Sequence, residues 1–156
     1  MKKTLRILIY ITFIVYCFIV LDLVLLSRSR MFHLDTWKDT WFDEHIRYGV
    51  NLVPFYTIKC YLRNIANGYI VSISVQNLLG NLLMFLPLGV YLPLIWKKCR
   101  TFLHTLLLSL GVLIVIELLQ FITLLGTLDI DDLILNMCGI ILGYLLWKCI
   151  KKPLKL

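Results

Sequence analysis

Residues 78–100 read LLGNLLMFLPLGVYLPLIWKKCR, and residues 101–125 continue TFLHTLLLSLGVLIVIELLQFITLL. The two apolar runs and the short basic link between them, with Lys97, Lys98 and Arg100, decide the fold. Crossing a hydrocarbon core of about 30 Å takes roughly 20 helical residues, and each run supplies that length. So short a link leaves room only for the chain to turn back. The pair therefore reads as two antiparallel membrane spans joined at one face of the bilayer.

Working outward, two further runs have the same character, at 5–26 and 133–150. The whole chain, 1–156, reads as a single all-α polytopic domain: a four-transmembrane-helix bundle with spans at about 5–26, 78–96, 102–125 and 133–150. The last is the shortest and is expected to stand with little tilt, Trp147 near the interface. The first is too long for a signal-peptide core, and no small-residue cleavage site follows, so it is expected to stay as an anchor. Composition agrees: 60% of residues are hydrophobic and 16% charged, too little polar surface for an ordinary soluble domain. The net charge of +7 does not point to nucleic acid, because the basic residues sit at the ends of apolar runs, beside lipid headgroups. Cys17, Cys60, Cys99, Cys138 and Cys149 are scattered and odd in number, which argues against a disulfide framework.

The basic clusters set the orientation. Lys2, Lys3 and Arg6 precede the first span, Lys97, Lys98 and Arg100 fill the link, and Lys148, Lys151, Lys152 and Lys155 end the chain. Counting spans puts all three on one side, which the excess of Lys and Arg marks as cytoplasmic. A multi-pass plasma-membrane protein with both termini in the cytoplasm is expected. The acids fall elsewhere. Asp35, Asp39, Asp43, Glu44, Asp129, Asp131 and Asp132 lie on the outer side, and Asp22 and Glu117 lie within spans. In the long outer loop, 27–77, the stretch with Trp37, Trp41, Phe42, His45 and Tyr48 has helical spacing and is expected to form an interfacial helix or a solvated loop helix. Residues 69–75 either extend the second span or form a re-entrant piece.

Polar side chains inside spans are costly and ask for a reason. Asn77 and Asn81 share a face of the second span, and Glu117 and Gln120 share a face of the third. Glu117 lies about 12 Å inside the outer end of its span. After the turn at Gly126, Asp129 and Asp132 are expected on one face near a helix N-terminus, where the macrodipole favours negative charge, with Asn136 one turn deeper. All these residues fall in the outer half of the bilayer, which implies a polar pocket opening to the extracytoplasmic side. Asn51, Asn81, Glu117, Gln120, Asp129, Asp132 and Asn136 are the candidate ligand-binding residues. Gly139 and Gly143 form a G-x-x-x-G step suited to close helix packing, and Pro87 and Gly89 are expected to kink or thin the second span.

Asn51 to Phe55, Gly80 to Gly89, Glu117 to Gln120, and Asp129 to Asp132 followed by Asn136, Gly139 and Gly143 form four blocks in series. In that order and spacing they resemble the VanZ-like membrane proteins associated with teicoplanin resistance. The chain departs from the family pattern at Thr127, where many members carry an arginine. The resemblance implies a cell-envelope membrane protein linked in some bacteria to lowered susceptibility to lipoglycopeptide antibiotics. It implies no reaction.

Three readings of function follow. The first is a non-enzymatic protein that binds a membrane lipid or an amphiphilic drug, with Trp37 and Trp41 as an interfacial platform. The second is an enzyme acting on a lipid-linked substrate, with Glu117 as acid or base and no cofactor other than a divalent cation on Asp129, Asp131 and Asp132. The third is an ion-coupled transporter, which four spans without an inverted repeat would support only as a homo-oligomer. No zinc spacing, phosphate-binding glycine loop or nucleophile elbow appears, and His33, His45 and His104 are isolated.

Overall fold

The computed structural model describes residues 3–26, 49–123 and 125–151, with backbone alone at 25 and 26. The chain runs from α1 (Lys3–Leu21) into a π-helical turn (Asp22–Leu26). It resumes with β1 (Val50–Asn51), α2 (Tyr56–Ala66) and α3 (Val71–Ile95). A 3₁₀ turn (Lys97–Arg100) leads to α4 (Phe102–Ile122), then β2 (Leu128–Asp129) and α5 (Ile130–Ile150). Helices α1, α3, α4 and α5 are each long and apolar enough to cross a membrane. Their outward faces are apolar, as at Phe18, Leu103 and Ile122. Such surface would be a liability in water and is what a helix presents to lipid.

The centre of the bundle is the contact between α3 and α5, and glycine makes it. A Cβ at Gly139 would stand 2.0 Å from the Leu82 carbonyl oxygen, and one at Gly143 would stand 2.0 Å from that of Leu86. From the other side, a Cβ at Gly89 would meet the Ile140 carbonyl oxygen at 2.1 Å. Three missing side chains let the two backbones touch, with Cα–H groups facing carbonyls. In a solvent as apolar as leucine, this close fit is what holds helices together. Pro87 lies in α3, where it removes a backbone donor, and the Tyr16 hydroxyl donates to the nearby Met84 carbonyl at 2.9 Å. Phe13 and Tyr16 of α1 pack on Tyr91 of α3, so α1 is fastened to the bundle along that side.

The basic segments meet at one end of the bundle. The Tyr144 hydroxyl near the end of α5 donates to the Arg100 carbonyl in the link, and Arg6 lies beside Lys97 and Arg100. Asp129, Asp131 and Asp132 begin α5 at the opposite end. There β1 and β2 pair in parallel, Asn51 against Asp129, and α2 lies against the first turns of α3.

Three span limits differ from the sequence reading. The second span begins at Val71, so residues 71–75 belong to it, and the third ends at Ile122. The fourth begins at Ile130, because Asp131 and Asp132 sit inside its first turn. The expected interfacial helix around Trp37, Trp41, Phe42, His45 and Tyr48 lies outside the described residues. An amphipathic helix does occur further on, as α2.

Candidate functional site: a polar cavity among three spans

Five of the seven candidate residues converge. Asn81 from α3, Glu117 and Gln120 from α4, and Asp132 and Asn136 from α5 line one cavity of about 50 Å³. Leu23 and Val24 of the π-helical turn, Met84 and Phe85 of α3 and Ile116 of α4 complete its walls. The helical spacings explain the convergence: Glu117 and Gln120 are three apart, Asp132 and Asn136 four apart, so each pair projects from one face. Three faces point at the same axis.

Internal contacts fix part of this lining. Asn81 Nδ2 donates to Asp132 Oδ1, joining α3 to α5 through a charge-assisted bond. Gln120 Nε2 donates to the Val24 carbonyl at 3.2 Å, across to the π-helical turn that follows α1. Asn136 is different. Its side chain is 4% exposed, and among the described residues its Oδ1 accepts no hydrogen bond. A buried amide oxygen in that state costs about 1–3 kcal/mol unless something else donates to it. The cavity exceeds the space needed for one water, about 10–15 Å³, so a few waters or a small polar group would fit beside it.

Asn51 and Asp129 lie elsewhere, in a network that docks β1 and the start of α2. Asn51 Nδ2 donates to Asp129 Oδ1 at 3.1 Å and to Thr57 Oγ1 at 2.9 Å, and Thr57 Oγ1 donates to Asp129 Oδ2 at 2.6 Å. Asp129 also caps α5, accepting from the Asp131 N–H at 2.8 Å. Asp129 and Asp132 therefore do not share a helix face. Asp129 is the N-cap and has extended backbone, so helical spacing does not govern where its side chain goes. Asp131 takes a third direction, into the start of α2, where Oδ1 accepts from the Phe55 N–H and Oδ2 from the Ile58 N–H. The three acids thus serve three separate partners, and among the described residues no group of three or more metal-ligating side chains comes together.

Sequence reasoning overlooked Thr57, Tyr61 and the capping role of Asp131. Tyr61 accepts from Asn77 Nδ2 at 3.0 Å, so Asn77 fastens α2 and does not enter the cavity. One signal was available. Helix α2 has Phe55 at its N-cap in place of a Ser, Thr, Asp or Asn, so its first amides had to find an acceptor from another part of the chain.

A second cavity adjoins the polar one. An apolar groove of about 570 Å³ runs between α1 and α4 over a floor of Phe85 and Leu88. Tyr16 and Val20 form one wall, Gly111 and Val115 the other. Phe85 and Ile116 line both cavities, so the groove ends against the polar site.

Four apolar spans around a sequestered set of amide and carboxyl groups define a multi-pass helical membrane protein with an internal polar site. The chain belongs to the VanZ/LLP1 family, whose profile matches residues 13–151. No match was found among curated proteins or among solved structures.

Proposed function

We propose that this chain is a bacterial envelope protein that lowers susceptibility to lipoglycopeptide antibiotics of the teicoplanin class by binding an amphiphile, without chemical turnover. On this reading the acyl tail lies in the groove between α1 and α4, and the polar junction of the molecule reaches the cavity at Asn136. The observation that carries it is the shared wall of Phe85 and Ile116, which sets a long apolar space end to end with a small polar one. Size supports the same division. Pockets that enclose a drug-sized molecule measure about 300–1,000 Å³, which the groove reaches and the polar cavity does not. The bulky head of such a drug would therefore stay outside, at the acidic end of the bundle, which the reading assigns to the extracytoplasmic face.

The acid–base alternative would have to use Glu117 and Asp132, the two carboxyl groups in the described lining of the polar cavity, and Asp132 already accepts from Asn81.

The test is the susceptibility of a sensitive bacterium expressing the chain, measured with a lipoglycopeptide and with its deacylated counterpart. Protection is expected against the acylated drug alone. Gly111→Phe fills the groove at a position where a Cβ meets nothing within 4 Å, and it is expected to abolish protection at normal protein abundance. Equal protection against both drugs, or full protection by Gly111→Phe, rejects the reading.

A further inference from the structure

A third cavity, of about 290 Å³, lies at the opposite, basic end of the bundle. It is lined by Arg6, Ile9 and Tyr10 of α1, Leu94 and Ile95 of α3, and Lys97 and Arg100 of the link, and among the described residues no acid lines it. Arg6, Ile9, Tyr10 and Phe13 fall at spacings of three and four, so they share one face of α1. Phe13 on that face meets the Trp96 ring edge-on at 6.1 Å. The two helices are therefore pinned at Phe13, and the cavity lies beyond that contact, toward the first residues of α1.

We propose that this cavity binds an anionic phospholipid of the adjoining leaflet. Arg6, Lys97 and Arg100 would hold the phosphate, and Ile9, Leu94 and Ile95 would receive the first part of the acyl chains. Three exposed cations drawn from two separate elements border one partly open cavity, where their like charges favour an anion sitting among them. Guanidinium groups match phosphate oxygens with paired N–H donors. The apolar residues on the same wall select a lipid phosphate over a free one. Trp96, half-exposed at the end of α3, marks this depth as the membrane interface. The site is separate from the polar cavity and does not depend on its function.

The experiment titrates the purified full chain in a neutral detergent with phosphatidylglycerol, phosphatidylcholine or glycerol phosphate, following Trp fluorescence and thermal melting. Saturable stabilisation by phosphatidylglycerol alone is expected. The combined Arg6→Gln, Lys97→Gln, Arg100→Gln variant is expected to bind it about a hundredfold more weakly, with Arg6→Lys weakening it less than Arg6→Gln because it keeps the charge and loses the paired donors. A control with Lys59→Gln and Lys148→Gln removes exposed cations outside the cavity and is expected to change affinity less than about twofold. If the triple variant does not fold, Arg6→Gln and Arg100→Gln alone are each expected to weaken binding about fivefold. Equal loss in the control variant would reduce the effect to general surface attraction and overturn the site. Equal response to phosphatidylcholine would remove the anion from the account, and equal response to glycerol phosphate would remove the lipid.

Discussion

Asp131, wholly buried in the first turn of α5, accepts a hydrogen bond from the backbone N–H of Phe55, the N-cap residue of α2. Its other oxygen takes the Ile58 N–H, so one carboxylate lies between the positive ends of two helices. The next residue, Asp132, points about 100° away around α5 and bonds Asn81 at the polar cavity. Adjacent acids thus divide the work: one fastens the start of α2, and the other shapes the candidate site.

Removing the first should loosen α2 and leave the cavity alone. Asp131→Ala orphans two amides that met a charged acceptor, a loss of about 3 kcal/mol. Asp131→Asn, which keeps one good acceptor, is expected to cost less. Thermal melting of the purified protein, with proteolysis at α2 as a local readout, checks both. An Asp131→Ala protein that melts like the wild type would show that the cap carries no stability.

The glycine seam makes a sharper distinction. Gly89→Ala, Gly139→Ala and Gly143→Ala each drive a methyl group into a carbonyl on the facing helix, and each is expected to destabilise by about 1–3 kcal/mol. Gly80→Ala and Gly111→Ala meet nothing within 4 Å and should be neutral or gain about 0.5–1 kcal/mol from helix propensity. Melting temperatures of the five variants should fall into two groups. Equal effects across the five would mean that α3 and α5 are not in backbone contact.

These contrasts show what the sequence could and could not disclose. The existence of four spans was legible, since only long apolar runs can cross a bilayer. Their ends were not. Asn77, Asn81, Asp131 and Asp132 lower local hydropathy, yet they stay helical because they find partners on α2 and on one another's helices. The convergence of five candidate residues on one cavity was legible because helical spacing fixes a face, and a polar face in an apolar span must turn inward. Asn51 and Asp129 share that polarity, but they stand in extended backbone, where period gives no guide to a partner across the chain. The apolar groove had no signature at all, because a lipid-facing leucine and a groove-lining one look alike in sequence.

Within the cavity, Glu117→Gln separates binding from acid–base chemistry. The amide keeps the size and most of the hydrogen-bonding capacity of the carboxyl group, so a binding role predicts partial protection against a lipoglycopeptide. A proton-transfer role predicts none. Asn136→Leu supplies the matching control, since it removes the amide oxygen that accepts nothing among the described residues. It is expected to raise stability slightly while abolishing protection, a pairing that loss of scaffolding cannot produce.

Cysteine labelling tests the orientation on which the extracytoplasmic reading depends. Cys60 stands on α2 at the acidic end, and Cys149 is exposed at the basic end of α5. In single-cysteine variants, a membrane-impermeant maleimide added to intact cells is expected to label Cys60 and spare Cys149, and inverted vesicles should show the reverse. Cys99 serves as an internal standard. It is buried in the link between α3 and α4, and burial pushes its thiol pKa up, so less of it is thiolate near neutral pH. Its labelling in inverted vesicles should be slow at pH 7 and speed up as pH rises, because the thiolate is the reacting form. Labelling of Cys149 from outside intact cells would invert the bundle. The polar cavity would then lie nearer the cytosol, and a drug arriving from outside could not reach it.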